Sequence, residues 1–134
     1  MTTPDPEFFR KSKFSKTQIA GYLKNAFRDL EIAAEDSFVE VRFTYAYQAL
    51  IKAGLALLAH EGVKVRALPG HHIRILEAVS RILKDPDAFT VGNAMRMKRN
   101  EDLYGEGGFV SEKEAEEYLE SIQAILDRAR KLIT

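Results

Sequence analysis

A short run late in the chain, Arg99-Asn100-Glu101-Asp102-Leu103-Tyr104, sets a guanidinium, a carboxamide and a phenol within six positions. Arginine presents a rigid fork of donors that matches the oxygens of a phosphate, so Arg99 is a candidate anion holder. In a helix Asn100 and Tyr104 share a face, whereas Arg99 and Tyr104 are turned about 140° apart. Asn100 can fix geometry or donate a hydrogen bond, and Tyr104 can donate its hydroxyl or stack on a base. The plainer reading of Arg99 is a structural arginine that caps helix carbonyls or pairs with a glutamate. The chain's three histidines, His60, His71 and His72, add imidazoles that titrate close to neutral pH, and Lys64 and Arg66 lie between them.

Apolar residues recurring at spacings of three and four predict helices throughout, and no alternating strand-like run is bounded by turns. A first helix starts at Ser15, with Gln18 completing a capping box, and buries Ile19, Tyr22, Leu23, Ala26, Phe27, Leu30 and Ala33. A second runs from about Phe38 to Glu61 and stops at Gly62; its apolar surface, Phe43 and Tyr47 through Leu58, covers over half its circumference, as a central helix or a subunit interface would. A third opens near His71 after Pro69-Gly70, a fourth reaches from about Asp87 to Tyr104 with Met95, Arg99 and Leu103 in line, and a fifth opens at Ser111 with Glu114 as a second capping box. The expectation is an all-α fold: an up-and-down antiparallel bundle of four main helices plus a fifth C-terminal helix, occupying 14–134 behind a loose tail at 1–13. Strict alternation would gather His60, His71, His72, Arg99, Asn100 and Tyr104 at one pole. As neighbours about 100° apart, His71 and His72 would not both face one cleft in a regular helix.

Twenty acidic and twenty basic residues cancel, so no chain-wide field attracts nucleic acid or anionic lipid. The absence of cysteine excludes disulfides, thiolate zinc sites and cysteine nucleophiles, and no His pair has metal-binding spacing, so neither metal nor cofactor is expected. No apolar run is long enough to span a bilayer and no secretory signal opens the chain, which reads as cytoplasmic with no membrane partner. Gly105-Glu106-Gly107-Gly108 lacks the Gly-Lys-Ser/Thr of a phosphate loop and reads as a helix stop. Asp5, Glu7, Asp29, Glu31, Glu35 and Asp36 read as solvated surface, and Arg10, Lys11, Lys13 and Lys16 as a charged flank that could also touch RNA or a partner.

Arg99-Asn100-Glu101-Asp102-Leu103-Tyr104 resembles the Arg-Asn-x-x-x-His signature of HEPN domains (higher eukaryotes and prokaryotes nucleotide-binding), with tyrosine at the histidine place. Tyr45-Ala46-Tyr47, Leu55 to Gly62 and Pro69-Gly70-His71-His72 resemble the central helix and following turn of bacterial members. The resemblance implies a helical bundle that dimerises, with the motif lining a cleft between subunits. Relatives are metal-independent endoribonucleases or non-catalytic partners of small nucleotidyltransferases. It therefore implies a homodimer, a nucleotide or RNA ligand, a minimal nucleotidyltransferase partner, and a role in a stress, defence or toxin-antitoxin type system. Tyr104 does not carry over the histidine role, because a phenol near its ordinary pKa of about 10 is a poor base at neutral pH. The expectation is thus a module that binds a nucleotide or RNA phosphate through Arg99, Asn100, Tyr104, His71 and His72 and is not a standard HEPN ribonuclease. The alternatives are a metal-independent endoribonuclease using His71 or His72 with Arg99, and a protein-interaction bundle with no nucleotide ligand.

Overall fold

The structure is a computed structural model that describes the backbone of residues 5–104 and 110–134 and the side chains of 5–100 and 110–134. Its order is β1 (Phe9–Lys11), α1 (Lys16–Glu35), α2 (Val39–His60), β2 (Val63–Val65), α3 (His71–Leu83), α4 (Pro86–Tyr104) and α5 (Glu112–Ile133). The chain is mostly helical, as the periodicity requires. Ser15 and Ser111 both close reciprocal capping boxes, with Gln18 and Glu114 respectively, so two helix starts are written in side-chain chemistry. α2 is the central helix: Phe43, Tyr47, Leu50, Leu57 and Leu58 are each about 1% exposed or less, and each such side chain contributes about 1.5–3 kcal/mol when fully buried.

Contacts along the helices fix their directions. Arg42 on α2 donates to the Ala33 carbonyl of α1 and pairs with Glu116 of α5. Phe43 meets Tyr118 of α5 edge to face at 5.8 Å. Farther along, α1 crosses back to place Phe27 under the Arg130 guanidinium of α5, at 4.5 Å. α5 therefore runs with α2 and against α1.

The step from α2 to α3 departs from strict alternation. The start of α3 lies beside the middle of α2, where the Tyr47 hydroxyl and His72 Nδ1 are 2.9 Å apart. Its last turn lies beside the end of α2, where Arg81 donates two hydrogen bonds to Glu61, at 2.9 and 3.2 Å. α3 thus runs with α2, and residues 61–70 return the chain along α2. From Tyr47 to His60 that return spans about 20 Å of helix. Gly62 and Gly70, at φ of +77° and +86°, open and close it in the left-handed region. Between them β2 pairs antiparallel with β1, Phe9 opposite Val65 and Lys11 opposite Val63.

That pairing corrects the expectation of a loose tail over 1–13. From residue 5 the segment is tied down: Phe8 is buried, its carbonyl accepts from the Arg66 amide, and Arg66 donates a guanidinium hydrogen bond to the Glu7 carbonyl at 3.1 Å. Val63-Lys64-Val65 alternates for only three residues and Phe9-Arg10-Lys11 does not alternate at all, so neither pattern registers as a strand.

The parallel approach of α3 depends on Gly54. A methyl group there would collide with the Ile75 Cγ2 and come to 3.0 Å from that of Val79. Both are branched at Cβ and have little rotamer freedom in a helix. At Gly92 of α4 the obstructing atoms are instead the Cδ tips of Leu76 and Leu50, at 2.6 and 2.9 Å, which can rotate. Replacing an interior helix glycine by alanine gains about 1 kcal/mol of propensity, and overpacking costs about 1–3 kcal/mol. Gly54→Ala is expected to lower stability by up to about 2 kcal/mol, and Gly92→Ala by less; urea unfolding of both variants checks the order.

Candidate anion-binding site

The crossover builds a cavity of about 500 Å³ between α2, the β2 return, α3 and α4. Its apolar walls include Phe14, Ile51, Leu55, Leu58, Val65 and Ile75. Its polar groups are Lys52, Lys64, His71, His72, Arg99 and the phenols of Tyr22 and Tyr47, with Gln48 at the edge. No acidic side chain lines it among the described residues. Pockets of this size hold small organic ligands.

Tyr47 sits at the centre. Its side chain is buried, and burial pushes its pKa up to about 12 against the opposing charges of Arg99 and Arg96. The phenol is therefore protonated and donates. His72 has its pKa lowered to about 4, first by burial and then by His71, Arg99 and Arg96. It is neutral at physiological pH and accepts the Tyr47 hydrogen at Nδ1, 2.9 Å away, which places its own proton on Nε2. His71 has the other tautomer: Nδ1 lies 2.9 Å from the Leu68 carbonyl oxygen, which can only accept, leaving the Nε2 lone pair free whenever the ring is neutral. The two rings meet edge to face at 4.6 Å. One can present an acceptor and the other a donor.

Arg99 lies in the late turns of α4 with its guanidinium carbon 5.7 Å from the centre of the Tyr47 ring. The residue is exposed, and no carboxylate among the described residues pairs with it. It follows the fully buried Met95 on the same stripe, yet the long side chain carries the charge out of the apolar layer to the cavity mouth. Lys98 reaches toward Glu114 of α5 at 3.4 Å, and Arg96 donates to Asn93 at 3.1 Å, so neither lines the cavity. Lys52 is partly committed, its Nζ being 2.7 Å from the buried carboxylate of Asp29, which sequence reading placed on solvated surface.

Of the residues singled out in sequence, the structure brings Arg99, His71 and His72 together. Both histidines line one cavity, contrary to the expectation from helical spacing, because they occupy the first turn of α3 and reach the same opening from either side of it. His60 is not with them: it lies at the far end of α2 beside α1 and α5, because α3 is parallel to α2. Asn100 is exposed and does not line the cavity. The Tyr104 side chain and Gly105-Glu106-Gly107-Gly108 lie outside the described residues. Tyr47 is the site residue that sequence reading missed. The available signal was a phenol in an apolar stripe, since a buried hydroxyl demands a partner.

Among the described residues no cluster of histidines and carboxylates could hold a metal ion, and no helix is long and apolar enough to cross a membrane. No family model, curated protein or solved structure matches the chain.

The Tyr47–His72 pair makes a pH prediction with a definite sign. Below about pH 6.5 the unfolded chain protonates this histidine while the folded chain does not until about pH 4. Stability should therefore fall as pH drops from 6.5 to 4, with a slope of at most about 1.4 kcal/mol per pH unit for this proton. The expected outcome is that His72→Asn removes that component of the pH dependence in urea titrations, while nitrogen NMR of the unmodified protein finds the neutral His72 proton on Nε2.

Proposed function

We propose that the chain is a HEPN-like helical module that binds a nucleotide or an RNA phosphate in this cavity. The observation that carries the reading is the Arg99 guanidinium, without a carboxylate partner among the described residues, beside His71, His72 and Lys64 over a wall bearing no acidic side chain. Arg99 and Lys64 bind phosphate oxygens, His72 Nε2–H adds a neutral donor, and the rings of Tyr47, Tyr22 and Phe14 offer faces to a base. In the resemblance drawn above, Arg99 is the motif arginine late in the fourth helix. That resemblance also supplies the remaining proposals: a homodimer, a minimal nucleotidyltransferase as partner, and service in a stress, defence or toxin-antitoxin type system. The same resemblance assigns phosphate contacts to Asn100 and Tyr104.

AMP and a short oligoribonucleotide are the probes. Either one, at about a hundred times its dissociation constant, should stabilise the fold by about 2.7 kcal/mol. Arg99→Ala should weaken binding about 10- to 100-fold, the range for a lost charge-assisted hydrogen bond. Absence of any shift with both probes, or equal binding by the variant, sinks the reading and leaves a protein-interaction bundle.

The complementary histidine tautomers favour a second reading, a metal-independent endoribonuclease. His71 Nε2 takes the proton of a ribose 2′-hydroxyl, the 2′-oxygen attacks phosphorus, and the 5′-oxygen departs with a proton from solvent, while Arg99 and His72 hold the non-bridging oxygens. This reading expects oligoribonucleotide cleavage in EDTA that disappears in both His71→Ala and Arg99→Ala. Binding without cleavage leaves the first reading standing alone.

A further inference from the structure

At the C-terminal end of α2, a second cavity of about 630 Å³ opens between the start of α1, the end of α2 and the end of α5. Its floor is Ile19, Leu23 and Phe27 of α1 with Ile133 of α5, and the small Ala20 leaves the space open. Around that floor stand cations. Lys16 and Lys24 project from α1, and neither pairs with a carboxylate among the described residues. Arg130 lies over the Phe27 ring at 4.5 Å and also touches Asp127 at 3.2 Å. His60 completes the edge. No acidic side chain lines this cavity among the described residues.

We propose that this cavity binds the anion of a single-chain fatty acid. The argument is charge complementarity set on an apolar floor. A small inorganic anion would leave the floor unused. A nucleotide base would find one aromatic ring on the floor, Phe27, and Arg130 already stands over it at 4.5 Å, while the Thr134 hydroxyl already donates to the Arg130 carbonyl at 2.7 Å. An acyl chain needs only apolar contact, and its carboxylate finds Lys16, Lys24 and Arg130 at the rim. Each methylene buried adds about 0.8 kcal/mol, about fourfold in affinity. The site uses Lys16, the end of the basic flank that the first cavity does not engage, and it does not depend on nucleotide binding at that cavity.

The test is calorimetric titration of the full chain with octanoate, decanoate and laurate, each kept monomeric, and with dodecanol as the uncharged control. The expected result is saturable 1:1 binding that tightens by up to about fourfold per added methylene. The Lys16→Gln/Lys24→Gln double variant and dodecanol should each be weaker by about fivefold or more. Ala20→Trp, at an exposed position that fills the opening, should abolish binding, whereas Arg99→Ala should leave it unchanged. Absence of saturable laurate binding, equal affinity for laurate and dodecanol, or insensitivity to Ala20→Trp would each overturn the proposal.

Discussion

The close approach of α3 to α2 across Gly54 decides where everything else in this protein can be. With no side chain at that point, Ile75 and Val79 press against the α2 backbone and α3 lies alongside α2 in the same direction. The chain must therefore travel back along α2 before α3 can start, and residues 61–70 do so as a strand-bearing return instead of a tight turn. The return needs a backbone partner because an unpaired strand presents a row of unsatisfied amides and carbonyls. β1 supplies it, and the N-terminal segment is ordered as a consequence. The cavity is the space enclosed between the return and the helices it bypasses.

Electrostatic matching follows the same geometry. Several of the molecule's arginines are fastened to carboxylates at helix ends: Arg42 to Glu116, Arg81 to Glu61, Arg128 to Asp85. Each ties two elements together, and each is exposed enough that its energetic weight is small, about 0–1 kcal/mol for surface pairs. The buried Asp29 is different. Its carboxylate is almost fully withdrawn from water, so Lys52 is held there as a counter-charge and is less available to a ligand. Under the proposed reading the cations left for recognition at the first cavity are Arg99 and Lys64, which no acidic side chain among the described residues offsets.

Local chemistry was legible in the sequence and long-range direction was not. The two capping boxes, the stop at Gly62 and the opening of α3 after Pro69-Gly70 each depend on side chains within a few positions of one another, so spacing alone reveals them. The close approach of α3 to α2 rests on a contact between Gly54 and Ile75, twenty-one positions apart, and nothing in the periodicity of either helix encodes that contact or the direction of α3. Assuming alternation put His60 beside His71 and His72; the true crossover separates them by most of the length of α2. Arg99 is in line with the buried Met95, yet it is exposed and lines the first cavity, because a flexible arginine on an apolar stripe can extend past that stripe. Tyr47 escaped notice because one phenol in a long apolar helix looks like core until its partner is known.

The tautomers at the first cavity narrow what it can recognise. Tyr47, held protonated by burial, spends its hydrogen on His72 Nδ1 and so directs the His72 proton to Nε2. Arg99, Lys64 and His72 then all offer hydrogens, while His71 Nδ1 is spent on the Leu68 carbonyl and only its Nε2 faces the same space. A ligand rich in acceptors satisfies that surplus of donors, while a cationic ligand would meet like charge at the exposed Arg99 and Lys64 and leave the half-buried His72 donor unpaired. Phosphate and carboxylate oxygens are such acceptors, and the aromatic walls favour attachment to a flat ring over an isolated anion. Under the proposed reading, selectivity at this site originates in a hydroxyl on α2 that need not touch the ligand at all.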